Sequence, residues 1–270
     1  MTVLAHAGGT TTWLQAAPLL ALTALAGGAY VRCAARTPRA WSRWRTASWL
    51  AGCSVLAVAV SPVFTARRDP TAHTAQHLLF GAIAPLGLVL AAPMTLLLRV
   101  ASRRVRRVVA RVLHLRAVGV LGHPVTAALL STGGMFAVMC TPLYALAESS
   151  SLVDHALHLH YLAAGYLFAW AIAGPDPAPG RPSMPVRLAV LVGAAGAHAF
   201  LAKFLYAHAA TLPPGAADDP AGARDAAQLL YYGGDLAELL LAIALFGGRY
   251  ARGGRQLMHS APTAAEQAGA

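Results

Sequence analysis

The sequence predicts an all-α fold, in which seven transmembrane helices form the bundle of a polytopic integral membrane protein. Three observations lead to this prediction. Of the 270 residues, 57% are hydrophobic and 11% are charged, whereas soluble proteins carry about 25% charged residues. Apolar runs of about 20 residues recur along the chain, and this is the length a helix needs to cross a bilayer core. Loops that contain arginines follow every second run, beginning with the first.

Seven apolar segments are predicted as spans of one membrane domain, residues 1–250. In chain order they cover residues 13–31, 47–64, 72–98, 125–146, 153–173, 186–207 and 227–246. No Lys or Arg precedes the first segment, so we expect a retained helix rather than a cleaved signal peptide. Pro85 in the third span and Pro142 in the fourth predict a bend in each helix. Residues 251–270 are predicted to form a disordered cytoplasmic tail.

Basic residues predict the orientation of the spans, because loops rich in Lys and Arg stay in the cytoplasm. The loop after the first span carries five arginines between Arg32 and Arg45. The loop after the third carries seven between Arg99 and Arg116. Further arginines follow the fifth and seventh spans. We therefore expect the N terminus outside the cell and the C terminus inside.

Charge and motif content exclude several function classes. The net charge of +11 lies in loops between spans, so it indicates topology and contact with membrane lipids rather than nucleic-acid binding. The three cysteines stand in separate segments without a CxxC pair, which argues against a disulfide framework or a zinc knuckle. No nucleophile elbow, HExxH motif or phosphate-binding loop is present, so we do not expect an enzyme.

Ionisable and sulfur-containing side chains gather in the outer half of the predicted bundle, where they are costly and therefore functional candidates. His73 and His77 lie one turn apart on the third span, beside Gln76. His155 and His158 share one face at the start of the fifth span. Residues on the fourth, sixth and seventh spans reach the same half: Met135, Met139, Cys140, His198, Lys203, Asp235 and Glu238.

Imidazole and soft sulfur are ligands that suit copper, and thioether or thiolate groups select Cu(I). A magnesium or calcium site would need oxygen ligands instead. The pattern therefore predicts a copper site near the outer face, with His73 and His77 as primary ligands. His155 and His158 are expected as ligands or transfer residues, and Met139 and Cys140 as soft ligands. Groups expected to orient these ligands or balance their charge are Gln76, His198, Lys203, Asp235 and Glu238.

Structural roles compete with these assignments. The paired histidines can reach the lipid headgroups or bond to backbone at helix ends, and Met139 can fill an irregular helix interface. Lys203 can form a structural ion pair with Asp235 or Glu238. His198 lies deeper, where a neutral hydrogen-bonded imidazole is equally consistent with the pattern. His160 points away from the face that His155 and His158 share.

One stretch of the third span resembles a known family. His73-Thr74-Ala75-Gln76-His77-Leu78-Leu79, running into Ala84-Pro85, is similar to the HxxQHLL…AP signature of the CtaG-type assembly factors of bacterial haem-copper cytochrome c oxidase. Gly174-Pro175-Asp176-Pro177 after the fifth span, the histidine-rich start of that span and the seven-helix layout extend the resemblance. It covers most of the chain, from about Phe64 to Phe246.

The resemblance implies a non-catalytic role in maturing the oxidase, in which the protein helps copper to reach the binuclear centre. It implies a haem-copper oxidase subunit and a copper donor protein as partners, and a multi-pass location in the bacterial cytoplasmic membrane. Three alternatives remain open at this point. They are an assembly scaffold that binds no metal, a proton-coupled transporter, and a membrane protein that binds haem through facing histidines.

Overall fold

The computed structural model describes residues 8–65, 69–214 and 219–260. Within these ranges the chain is all-α and contains no β-strand. The predicted fold class is therefore confirmed at the level of an all-helical protein with several candidate membrane spans. The placement of the N terminus outside and of the C terminus in the cytoplasm stays a prediction.

Six helical segments are long and apolar enough to cross a membrane: Trp13–Ala35, Arg43–Phe64, Pro70–Val100, Ser151–Ala173, Met184–Ala207 and Pro220–Ala251. A seventh candidate is the bent pair Pro124–Cys140 and Leu143–Ser149, whose axes differ by 78°. Each segment predicted from the sequence lies inside one of these. We call them the first to seventh spans in chain order, with the bent pair as the fourth.

The second, third and fourth spans are each divided into shorter helices. The second span consists of Arg43–Ala59 and Pro62–Thr65. The third consists of Pro70–Leu78, the π-helical turn Leu79–Ile83, Ala84–Leu90 and Pro93–Val100. The fourth consists of Pro124–Ala128, the π-helical turn Leu129–Gly133, Gly134–Cys140 and Leu143–Ser149. The other spans belong to the continuous helices Gly8–Ala35, Ser151–Ala173, Met184–Ala207 and Pro220–Ser260. Two short helices, Arg103–Leu113 and Arg116–Leu121, fill the arginine-rich connection between the third and fourth spans.

The last helix is longer than the predicted span 227–246. It begins at Pro220, and the side chain of Asp219 accepts a hydrogen bond from the Gly222 amide at 2.9 Å, as a helix N-cap does. At the other end it continues to Ser260, through the first half of the predicted tail 251–270. Residues 261–270 lie outside the described residues, so a disordered tail stays a prediction there.

The predicted bend at Pro142 is present, and a π-helical turn stands next to Pro85, where the other bend was predicted. The fourth span turns by 78° between Cys140 and Leu143, and Pro142 stands at this turn. In the third span, the π-helical turn Leu79–Ile83 comes directly before Ala84 and Pro85. Proline has no amide hydrogen and crowds the preceding turn, so a widened turn relieves that strain.

The third span is packed closely between the second and fifth spans through glycines. A Cβ at Gly52 would lie 2.9 Å from the backbone nitrogen of Leu88, and Ser48 Oγ donates to the Gly87 carbonyl at 2.7 Å. On the other side, a Cβ at Gly165 would overlap the Gly81 carbonyl oxygen. Small residues at such crossings let helix backbones approach in a membrane. These contacts fix the position of the third span, which carries the signature histidines.

The Gly174-Pro175-Asp176-Pro177 motif has a structural role. The buried Asp176 carboxylate accepts hydrogen bonds from the amides of Met94 and Thr95 at 3.0 and 2.7 Å, and from Thr95 Oγ1 at 2.6 Å. It thereby satisfies the free amides that begin Pro93–Val100, just after the left-handed residue Ala92 (φ 55°). The motif ties the end of the fifth span to the far end of the third.

Candidate functional site

The structure brings three histidines of two spans together. The ring centroids of His73 and His77, on the third span, are 4.2 Å apart, and those of His77 and His158, on the fifth span, are 5.2 Å apart. We call these three residues the histidine cluster. It lies near the end of the bundle at which the third and fifth spans begin, because His73 stands one turn after Pro70 and His158 two turns after Ser151.

Two carboxylates orient the outermost imidazoles of the cluster. Nδ1 of His73 lies 3.4 Å from Oε1 of Glu148, on the short helix after the bend of the fourth span. Nδ1 of His158 lies 3.3 Å from Oδ1 of Asp154, one turn earlier on its own helix, and 2.9 Å from the Asp154 carbonyl oxygen. In metal sites, a carboxylate on one ring nitrogen fixes the tautomer and leaves the other nitrogen as the ligand.

Four ring nitrogens of the cluster are buried and, within the described part of the chain, have no hydrogen-bond partner. They are Nε2 of His73, both nitrogens of His77, and Nε2 of His158. Leaving a buried polar group unpaired costs about 1–3 kcal/mol. Four such atoms in three neighbouring side chains make the histidine cluster the candidate site of this structure.

Aromatic residues close the sides of the cluster. The ring of Tyr144 lies 5.1 Å from that of His73, Tyr161 lies 4.5 Å from His77, and Phe80 lies 4.9 Å from His158. The Tyr161 hydroxyl is also buried and unpartnered among the described residues. The imidazoles thus sit in an apolar frame in which few other polar groups compete for their nitrogens.

A cavity of about 670 Å³ adjoins the cluster on the side of His73 and His158. We call it the large cavity. Its polar lining residues are Gln15, Asp69, His73, Gln76, Glu148, Ser149, Ser151, Asp154, His155 and His158. Since it contains three carboxylates and no Lys or Arg among the described residues that line it, the large cavity attracts cations.

A second cavity of about 90 Å³ lies on the other side of His77, further along the third span. We call it the small cavity. Its polar and sulfur-containing lining residues are His77, Ser131, Thr132, Met135, Tyr161, His198 and Glu238. Both π-helical turns contribute to its wall, through Gly81 and Ala82 from one and Ser131 and Thr132 from the other. Single π-helical turns inside helices occur frequently at functional sites.

His198 and Glu238 form a buried polar pair in the wall of the small cavity. Nδ1 of His198 lies 3.3 Å from Oε1 of Glu238, and its Nε2 lies 3.1 Å from the Leu230 carbonyl oxygen. The sequence left His198 open between a structural and a functional role. The structure places it beside the cavity and gives both of its ring nitrogens a partner.

Three other predicted residues lie close to the site in different roles. His155 is exposed and lines the large cavity, with Nδ1 2.5 Å from the Ser151 carbonyl oxygen. Gln76 is buried and donates to the Ala59 carbonyl at 2.8 Å, so it joins the third span to the end of the second. Met139 is packed in the main apolar core with Phe80, Tyr144 and Tyr161.

Three predicted residues are not brought to the cluster, and among the described residues none of them lines the large or the small cavity. Cys140 is exposed at the bend of the fourth span. Lys203 is exposed and its Nζ lies 5.2 Å from the centroid of the Tyr231 ring. Asp235 is exposed, whereas Glu238, three residues later on the seventh span, turns towards the sixth span and pairs with His198.

His160, which the sequence placed on another face of the fifth span, has a structural role. Its Nε2 lies 3.1 Å from the carbonyl oxygen of Leu130, inside the π-helical turn of the fourth span. A Cβ at Gly134 would lie 2.5 Å from the same nitrogen. The imidazole thus stabilises a carbonyl in the distorted turn that lines the small cavity.

Several site residues were missed from the sequence. Asp154 had a local signal, because it precedes His158 by one helical turn. Glu148 had none, since the turn at Pro142 that brings it to His73 depends on tertiary packing. Tyr161 and the hydroxyls of Ser131 and Thr132 read as ordinary residues of apolar helices.

No ready-made metal site with three ligands is present in the described ranges. Among the described residues, no three or more His, Cys, Asp or Glu side chains are grouped so that they could hold one ion. The histidine cluster instead offers imidazoles in neighbouring pairs, His73 with His77 and His77 with His158.

These observations define a class of protein: a multi-pass helical membrane protein with a histidine-rich polar site near one end of its bundle. The match to known proteins makes the assignment specific. The sequence profile described as cytochrome c oxidase caa3 assembly factor (Caa3_CtaG) matches residues 28–252. The chain belongs to this family, which confirms the resemblance seen in the third and fifth spans.

Individual relatives come from mycobacteria. The chain is 32% identical over 209 residues to an uncharacterized protein of Mycobacterium bovis and to one of Mycobacterium tuberculosis, a match that covers 72% of this chain and 30% of each relative. It is 30% identical over 202 residues to an uncharacterized protein of Mycobacterium leprae, covering 70% of this chain and 31% of that protein. The chain thus spans less than a third of these relatives. No solved structure matches the chain.

Proposed function

We propose that this protein binds Cu(I) at the histidine cluster and supports its delivery to the copper centre of a haem-copper oxidase. Family membership supports a role in oxidase assembly. The observation that carries the copper step is the set of four buried ring nitrogens of His73, His77 and His158 that have no partner among the described residues. No catalytic step is part of this function.

The chemistry of the cluster fits Cu(I). A neutral His73 ring that carries its proton on Nδ1, 3.4 Å from Glu148, has a free lone pair on Nε2; the same holds for His158 when its Nδ1–H donates to the Asp154 carbonyl at 2.9 Å. Cu(I) accepts two nitrogen ligands in a nearly linear arrangement, so neighbouring imidazoles suffice to hold it. A site with few ligands also releases its metal easily, as a delivery protein requires.

The large cavity is the proposed entrance. Its carboxylates Asp69, Glu148 and Asp154 concentrate cations next to His73 and His158. By the distribution of arginines, this end of the bundle faces away from the cytoplasm of a bacterial cell, with the protein in the cytoplasmic membrane. A soluble copper donor protein would meet the bundle here, and the oxidase subunit that receives the metal would contact the spans from within the membrane.

A metal-free assembly scaffold is the competing function, and oxidase copper content tests the two against each other. In cells that lack the gene, the native chain, His73→Asn/His77→Asn and the control His208→Asn are each expressed. His208 is exposed and is not among the described residues that line either cavity, so its replacement tests for general effects of losing a histidine. We expect oxidase copper per haem to fall in the double variant alone, at equal membrane levels of all three chains. Normal oxidase copper in the double variant would favour the scaffold.

A further inference from the structure

His77 stands between the two cavities. It lines the small cavity, whereas its neighbour His73 lines the large one, and the two ring centroids are 4.2 Å apart. The side chain of His77 is 7% exposed, and both of its nitrogens lack a partner among the described residues. A cation held by His73 and His77 therefore needs to exchange only one ligand to leave the large cavity for the small one.

The walls of the small cavity suit a soft monovalent cation. Met135 supplies a thioether from the fourth span, and Glu238 supplies a carboxylate whose position is fixed by His198. The Tyr161 hydroxyl, buried and unpartnered within the described ranges, lines the same space. Thioether sulfur selects Cu(I) over harder cations. A nearby carboxylate offsets the cost of a positive charge inside the membrane.

The space is built by the backbone rather than left by poor packing. A Cβ at Gly234 would overlap the imidazole ring of His198, so only glycine allows that ring its place beside Glu238. The two π-helical turns widen the third and fourth spans at the level of this cavity. Such features are expected of a formed site, since each costs stability in an ordinary helix.

We propose that the small cavity is a second Cu(I) station, in which His77 and the Met135 thioether are the ligands. This proposal rests on the proposed function of the histidine cluster. Transfer is a ligand exchange: the bond from copper to His73 nitrogen breaks as the bond to Met135 sulfur forms, while His77 stays bound. Copper remains Cu(I) throughout and no electron is exchanged. The Glu238 carboxylate stabilises the cation in its second position.

X-ray absorption at the copper edge of the Cu(I)-loaded, detergent-purified protein tests this proposal, because sulfur and nitrogen ligands scatter differently. Cys33, Cys53 and Cys140 are first replaced by alanine, so that thiolates do not contribute. The variants are Met135→Leu and its control Met139→Leu, which lies one turn away in the apolar core and outside the described lining of both cavities. Both changes nearly conserve volume, so both variants should fold.

We expect sulfur scattering in the cysteine-free parent and in Met139→Leu, and its loss in Met135→Leu, whose copper becomes bound by nitrogen alone. Copper bound only by nitrogen in the parent would overturn the second station and leave the histidine cluster standing as a copper site. Sulfur scattering that persists in Met135→Leu would also overturn it. A parent that retains no copper would overturn the proposed function, and the second station with it.

Discussion

The His73 and His77 rings lie with centroids 4.2 Å apart and planes tilted by 59°, yet His73 lines the large cavity and His77 the small one. One turn of the third span therefore places one imidazole at the large cavity and its neighbour at the small cavity. Residues four apart lie on one face of a helix about one turn apart along its axis, so the HxxQH spacing makes the two imidazoles neighbours at different depths. We expect the residues around these two histidines to have separate roles.

The carboxylates beside the cluster should control its affinity for copper. Replacing Asp154 by Asn removes the charge next to His158 Nδ1 and weakens the preference for a tautomer with a free Nε2. We expect Cu(I) affinity to fall about 10- to 100-fold, the usual effect of losing such a partner. Competition against a chromogenic Cu(I) chelator measures it. Asp225→Asn, at an exposed position of the last helix, is the control; equal affinities in both variants would rule out this role.

Gln76 should stabilise the fold more than it affects metal binding. Its amide donates to the Ala59 carbonyl, which the end of helix Arg43–Ala59 leaves without a helical partner. Gln76→Leu leaves that carbonyl unpaired, so we expect a loss of about 1–3 kcal/mol in the free energy of unfolding. Thermal unfolding in detergent, compared with Gln228→Leu on the seventh span, measures this. A transition midpoint unchanged from the native chain would contradict the assignment.

Asp176 should be required for the far end of the third span. In Asp176→Ala the amides of Met94 and Thr95 lose their carboxylate partner. We expect destabilisation of about 1–2 kcal/mol, as for loss of a helix cap, and faster amide exchange over Pro93–Val100. Hydrogen exchange followed by mass spectrometry resolves this segment. Uniform exchange across all spans would show that the motif does not act as a local cap.

Gly234 should be intolerant of alanine because of His198. A methyl group there would overlap the imidazole and push it away from Glu238, whereas Gly196 on the sixth span meets nothing within 4 Å. We expect Gly234→Ala to disturb the small cavity and Gly196→Ala to leave it intact. Nitrogen-15 NMR of labelled histidines reports the His198 environment directly. An identical His198 signal in both variants would contradict the packing described.

The sequence predicted the features that depend on local pattern. Apolar length predicted every span, helical spacing predicted that His73 and His77 share a face, and Pro142 predicted the bend of the fourth span. Features that depend on how the helices pack escaped prediction. Glu148 reaches His73 only because of the 78° turn, and a π-helical turn has no simple residue signature. The sequence grouped Asp235 with Glu238 as charge-balancing residues, but Asp235 is exposed and Glu238 pairs with His198.

The central claim is that the histidine cluster binds Cu(I), and the metal content of the purified protein tests it most directly. The native chain, His73→Asn/His77→Asn and His208→Asn are purified in detergent, loaded with Cu(I) under anaerobic conditions, washed, and analysed for copper per chain. We predict that copper is retained by the native chain and by His208→Asn, and lost from the double variant. A native chain that retains no more copper than the double variant would contradict the account.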